Sequence, residues 1–235
     1  MFSFRVALLV AALCLPLVAG AQSLVTGRVE IKHPAHAKTE KDGGNVVIAL
    51  IPTSEVPIQP PAKHYRLGQR DKSFEKHLLA VPAGSIVDFP NFDPIFHNVF
   101  SLFDGQRFDL GLYETGSTRS VKFAKTGVSY IFCNIHPQME AIIVTLPTSW
   151  YAVTAKSGSF SIENVPAGRY EVRVWYERAS ADELSRLERT VDVEGDVTLN
   201  PMTIQEMSEV PPPHKNKYGR DYDVTSPDAP YQPGQ

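Results

Sequence analysis

Nineteen prolines and fifteen glycines punctuate this chain, and the hydrophobic runs between them are short. Proline removes a backbone donor and glycine costs backbone entropy inside a helix, so an all-helical fold is excluded from the start. What lies between the punctuation has strand composition. Residues 24–31 alternate, and 46–51 form a buried β run after an Asp42-Gly43-Gly44 turn. Four prolines within 52–61 then break regularity, and 63–76 is charged and poorly patterned. A second β series follows at 74–81, 85–89, 98–102, 120–123, 128–133 and 141–146, with turns at Ala83-Gly84, Asp104-Gly105, Thr115-Gly116 and Thr126-Gly127. A third occupies 151–155, 159–162, 170–176, 190–193 and 198–204. A short helix is expected over 180–189, with Ser180 as N-cap and Asp182 and Glu183 in its first turn. Short strands at this spacing predict an all-β fold built of sandwiches or barrels. The last thirty residues, 206–235, hold six prolines and no Ile, Leu or Phe, and are expected to form a disordered tail.

The formal charge of −3 and pI of about 6.2 give no support to a nucleic-acid partner. Residues 1–21 read as a signal peptide: Arg5 is the positive start, 6–15 an apolar run, and Ala19-Gly20-Ala21 a small-residue cleavage site. The run is short for a bilayer and is broken by Pro16. No later run is long enough to span, so the mature chain is expected to be exported to the periplasm without a membrane span. Cleavage also removes Cys14 and leaves Cys133 as the one cysteine. An unpaired thiol in an oxidising compartment is buried, paired with another chain or held by a metal.

Cys133, His136 and Met139 follow one another at C-x2-H-x2-M between two expected strands, and His97 lies upstream in Phe96-His97-Asn98-Val99-Phe100. Two imidazoles, a thiolate and a thioether make the donor set of a mononuclear copper site with a long axial methionine bond. Zinc is the competing metal, since Cys and two His would leave an open position, but thioether is a poor zinc ligand. His33, His36, His64 and His77 would assist if the protein recruits metal; solvated loop histidines are the plainer reading. No Ser-His-Asp set, phosphate-cradling loop or paired-carboxylate motif stands out, so no hydrolytic or nucleotide chemistry is expected.

His97-Asn98-Val99 together with Cys133-Asn134-Ile135-His136-Pro137-Gln138-Met139 resembles the plastocyanin/amicyanin family of cupredoxins over roughly residues 64–147. The text from Asp88-Phe89-Pro90-Asn91 onward is also similar to bacterial exported methylamine-utilisation or plastocyanin-like proteins. The resemblance implies copper ligation by His97, Cys133, His136 and Met139. It also implies that the Asn98 side chain ties its loop to the cysteine loop, and that electrons leave by the exposed edge of His136. Ile135 and Pro137 would then rim a small docking face for a redox protein such as a cytochrome or a dehydrogenase. Phe89, Phe96, Phe100, Phe103 and Phe132 would wall the site from water, and plain core packing accounts for them equally well. Copper oxidases and nitrite reductases of similar build carry a histidine beside the cysteine, and a binuclear electron-transfer copper site needs a second cysteine in the loop; Cys133 has Phe132 and Asn134 beside it and no second cysteine nearby. The implied activity is therefore single-electron transfer and not catalysis. Copper delivery or buffering by the same donors is the alternative, and a purely structural or binding module a third.

A second likeness covers 151–174. Ala155-Lys156-Ser157-Gly158-Ser159-Phe160 and Val165-Pro166-Ala167-Gly168-Arg169-Tyr170 resemble the carboxypeptidase regulatory-like, transthyretin-like β-sandwich, whose usual opening strands look like Gly27-Arg28-Val29 and 45–50. The implied architecture is all-β: first strands of this sandwich at 22–53, a cupredoxin Greek-key β-sandwich inserted at 54–147, and the remainder at 148–205. Tandem domains are the alternative. Insertion requires 24–51 to share a sheet with 151–204.

Overall fold

The computed structural model describes residues 22–34, 43–54, 63–102, 105–208 and 214–222. The expected signal peptide, His36 and Phe103 lie outside them. The chain is nearly all β, and among the described residues the one helix is the five-residue Ala181–Ser185. Ser180 caps that helix by accepting from the Glu183 N–H at 3.2 Å. Among the described residues no helix is long and apolar enough to cross a membrane.

Residues from the two ends of the sequence build one sandwich. Gln22–Lys32 pairs antiparallel with Ser159–Pro166 and parallel with Val197–Thr198 and Met202–Gln205. The facing sheet runs Tyr151–Val153, Val47–Pro52, Gly168–Trp175, Arg189–Val193. Val25, Val29, Phe160 and Ile162 from the first sheet meet Ile48, Leu50, Tyr170 and Val172 from the second in a single core. Strands 24–31 and 46–51 of the sequence reading thus share sheets with the third β series and with nothing from the second.

The intervening stretch folds on itself. A five-stranded sheet runs Leu78–Pro82, Glu140–Leu146, Gly127–Phe132, His97–Ser101, Phe108–Tyr113, and a three-stranded one runs Thr118–Phe123, Ser85–Pro90, His64–Arg66. Leu79, Val99, Ile131 and Ile143 pack against Val87, Phe89 and Phe123 between them. Strand Phe108–Tyr113 escapes the sequence reading because Gly111, at φ +65°, breaks the apparent pattern. His64–Arg66 escapes it because two exposed residues around a half-buried Tyr65 carry no aliphatic periodicity.

The two sandwiches meet along the strands whose sequence is continuously apolar. Ile48 and Leu50 point into the first core, while Val47 and Ala49 point the other way onto Leu78, Ala80, Ile142 and Val144. A strand buried on both faces has no need of alternation, which is why 46–51 reads as an unbroken run. The Tyr151 hydroxyl donates to the Ala80 carbonyl at 2.9 Å, and His77 meets Glu177 at 2.6 Å across the same junction.

The tail needs correction. Glu206 is buried against His33, Tyr176 and Arg178, and residues 214–222 contact Cys133 and Pro137 of the intervening stretch. Lacking aliphatic residues, this segment is held by hydrogen bonds and ring stacking, which an apolar-core criterion does not register.

Candidate metal centre

One tight turn and one neighbouring strand assemble the site. Gly127–Phe132 and Glu140–Leu146 pair in antiparallel register from Gly127 opposite Thr145 to Phe132 opposite Glu140, leaving 133–139 as the connecting loop. The Cys133 N–H donates to the Met139 carbonyl at 3.2 Å and the Met139 N–H to the His136 carbonyl at 3.1 Å, so the loop folds back on itself. Phe132 pairs with Phe100, which sets strand His97–Ser101 beside the loop and His97 at its mouth. His97, Cys133 and Met139 are fully buried, and His136 is half-buried.

Cys133 Sγ lies 3.9 Å from His97 Nδ1 and 3.7 Å from His136 Nδ1. One donor atom from each of the three residues lies within 4.8 Å of the others. Metal–nitrogen bonds of about 2.0 Å and metal–sulfur bonds of about 2.3 Å, spread trigonally, separate N and S by roughly 3.7 Å. The donors therefore fit around one ion. The two rings stand edge to face, with centroids 4.9 Å apart.

The surroundings shift the two loop side chains in opposite directions. Burial pushes the Cys133 thiol up, while the backbone N–H groups of Asn98, Ile135 and His136 aimed at it pull the other way. Those three donors stabilise a thiolate once a positive charge shares it. His136 is lowered to about 4, chiefly by burial, then by the nearby charges of His97 and Lys72, with Asp93 opposing. At neutral pH its ring is uncharged and offers a lone pair.

Asp93, absent from the sequence reading, orients the other imidazole. Its Oδ2 lies 2.7 Å from His97 Nε2, so that nitrogen carries the proton and Nδ1 is left free towards the sulfur. The same carboxylate accepts from the N–H groups of Asp71 at 2.6 Å and Lys72 at 2.9 Å. Asp71 and Lys72 both have φ of 54° and form the two-residue turn between Gln69–Arg70 and Ser73–Phe74. Burial acts to raise the Asp93 carboxyl, but the bonds from Lys72, His97 and Asp71 outweigh it and hold the group below the usual range. An aspartate four residues before a candidate ligand was the available signal.

Asn98 is placed differently from the resemblance. Its side-chain amide donates to Asp109 Oδ1 at 2.7 Å and not to the cysteine loop; only its backbone N–H faces the sulfur. Phe89, Phe100 and Phe132 are buried, whereas Phe96 is 56% exposed and walls nothing. Ile135 is half-buried and Pro137 exposed; Phe92 and Ile95 also reach solvent, the former beneath Arg66 and Arg70. His33, His64 and His77 are engaged by Glu206, Asp88 and Glu177 respectively, and none joins the metal-ligating group.

The 214–222 segment crosses the outside of the loop. His214 stacks on Phe132 at 4.0 Å between centroids and places Nε2 2.8 Å from the Pro137 carbonyl oxygen. The Lys217 N–H donates to Asn134 Oδ1 at 3.0 Å and its ammonium to Asp109 Oδ2 at 2.8 Å. The Tyr222 hydroxyl donates to the Cys133 carbonyl at 2.7 Å.

No family model matches the chain, and no curated protein matches it. Among solved structures it is similar to a Cu-containing nitrite reductase from Thermus scotoductus SA-01, at 23% identity over 37% of this chain and 25% of that one, with TM-score 0.35. The chain thus spans about a quarter of that protein's length. It is also similar to a purple cupredoxin from Nitrosopumilus maritimus, at 21% identity over 35% of this chain and 99% of that one, TM-score 0.32. Amicyanin from Paracoccus versutus aligns at 23% identity over 42% of this chain and 97% of that one, TM-score 0.33.

Proposed function

We infer that this is a mononuclear copper protein that carries single electrons between redox partners in the periplasm. The observation that carries the reading is the meeting of His97 Nδ1, Cys133 Sγ and His136 Nδ1 around one point, with Met139 closing the same turn. Thiolate and imidazole in that grouping suit copper in both of its common oxidation states. Bound there, copper would supply a one-electron couple.

The chain's own residues do the rest. Asp93 holds the His97 ring in one tautomer, and the backbone N–H groups of Asn98, Ile135 and His136 hold the sulfur. Burial of three of the four side chains keeps water out, and strand pairing on both sides of the loop limits rearrangement when the charge changes. His136 is the ligand that reaches towards solvent, beside Ile135 and Pro137, and a cytochrome or dehydrogenase is the expected kind of partner. The pairing of 22–52 with 151–205 supports reading the other sandwich as a carboxypeptidase regulatory-like unit interrupted by the copper module. Residues 1–21 support export.

Titration of the mature protein with Cu(II), followed by visible absorption and electron spin resonance, tests this reading. An intense thiolate-to-copper band with a reversible couple, both lost in Cys133→Ala, is the expected result. Stoichiometric copper without that band, or rapid loss to a chelator, would mean copper handling instead. No binding of copper would remove the reading.

A further inference from the structure

We propose that residues 214–222 clamp the ligand loop from outside, with Tyr222, His214 and Lys217 acting as positioning residues for the metal centre. This rests on the copper site inferred above and concerns how the site keeps its shape. The loop 133–139 supplies three of the four ligands, yet its internal backbone bonds are only the two at 3.2 and 3.1 Å that close the turn. Among the described residues no strand pairs with the loop at Cys133 or Pro137. The segment provides their partners: the Tyr222 hydroxyl on Cys133 and the His214 ring on Pro137. Lys217 adds a bond to Asn134, and its ammonium ties the segment to Asp109, the same carboxylate that receives the Asn98 side chain. Successive contacts at 133, 134 and 137 thus span the loop from its first ligand to the residue after the second.

The rings are part of the same device. His214 lies between Phe132, stacked at 23°, and Tyr222, edge-on at 84°. Phe132 precedes the ligating cysteine and is pinned on its other side by Phe100. Fixing the Cys133 carbonyl and the Phe132 ring fixes the backbone torsions that aim Sγ. Opening the loop to release a metal must break these contacts first, because every ligand except His97 sits on the clamped strand of backbone. Neither sandwich core draws on the segment, so its removal should leave the fold standing.

The test is copper transfer from the loaded full-length protein to a chelator, compared with Tyr222→Phe and with a His214→Ala/Lys217→Ala/Tyr222→Phe triple variant. Tyr222→Phe keeps the ring and removes the hydroxyl alone, with its contacts to the Cys133 carbonyl and to His214 Nδ1. Faster loss in the triple variant by roughly tenfold is expected, about 1.4 kcal/mol, or the worth of one net hydrogen bond. A shifted thiolate-to-copper band should accompany it, with the apo protein melting at an unchanged temperature. Unchanged transfer and an unchanged band would overturn the clamp, as would acceleration matched by a general loss of apo stability. Copper bound without an intense band would count against the electron carrier and leave the transfer comparison decisive for the clamp. Should the wild type take no copper, amide hydrogen exchange at Cys133 and Met139 in the apo protein decides: faster exchange in the triple variant supports the clamp, equal exchange overturns it.

Discussion

A carboxylate that takes three hydrogen bonds in a buried pocket has little freedom, and Asp93 uses that rigidity to set one imidazole nitrogen. Replacing Oδ2 with an amide nitrogen, as in Asp93→Asn, puts a donor opposite the donating His97 Nε2 or forces the amide to turn away from the Asp71–Lys72 turn. Copper affinity in Asp93→Asn is expected to fall by about 10- to 100-fold, as is usual when the outer partner of a ligating histidine is lost. Competition with a chelator of known affinity measures it. At this scale His97, Cys133 and His136 could be marked as candidate ligands because chemistry restricts which residue types can hold a soft metal, and the fold brings their donor atoms together. Asp93 and Tyr222 could not be marked, because any aspartate or tyrosine satisfies local patterning and only the fold says which ligand it touches. Asn98 shows the converse: the residue was marked, but its side chain found Asp109, a neighbour supplied by a strand that Gly111 had hidden.

Among the elements, Val47–Pro52 carries the heaviest duty, since its two faces belong to two different cores. Ile48→Ala removes buried volume on one face at a position with no exposure and should cost about 2–5 kcal/mol, read by urea unfolding. The Asp71–Lys72 turn predicts a gain instead. A lysine at φ 54° holds a backbone shape that glycine adopts without steric cost, so Lys72→Gly should stabilise by about 0.5–1 kcal/mol while keeping the N–H that Asp93 accepts. Thermal melting of the apo protein decides the sign. Strands with aliphatic alternation or continuous apolar runs were readable from composition. Phe108–Tyr113 and His64–Arg66, missed along with the short Gln69–Arg70, are largely solvent-facing edges whose pairing partners, not their own side chains, make them strands.

Across the whole molecule, the junction between sandwiches contains a titratable contact. His77 is held above its ordinary range by its hydrogen bond to the Glu177 carboxylate, burial working against this and the charges of Glu177 and Glu140 adding to it. A raised native value means that the stabilisation is complete below the unfolded imidazole range and is lost as pH climbs through the native one. The junction should therefore be firmer at pH 5.5 than at pH 8 by less than about 1 kcal/mol, since both groups are partly exposed. His77→Gln should flatten that difference, and thermal melts at the two pH values will show whether it does.

The split of one sandwich across both ends of the chain also dictates an order of events in time. Arg28 has to wait for Ser159, and Leu50 for Val172, before either finds its partner. Distant pairings of this kind are slow to form, while the stretch between them can close on nearer contacts. A chain emerging from its N-terminus therefore holds two unpaired apolar strands until the last third has been made. Both tryptophans, Trp150 and Trp175, follow the intervening stretch; Trp150 packs on the core of the split sandwich and Trp175, from one of its strands, on the junction between the two. Refolding followed by tryptophan fluorescence should then lag behind recovery of the copper band, and the lag would mark the interval in which the newborn protein most needs a chaperone.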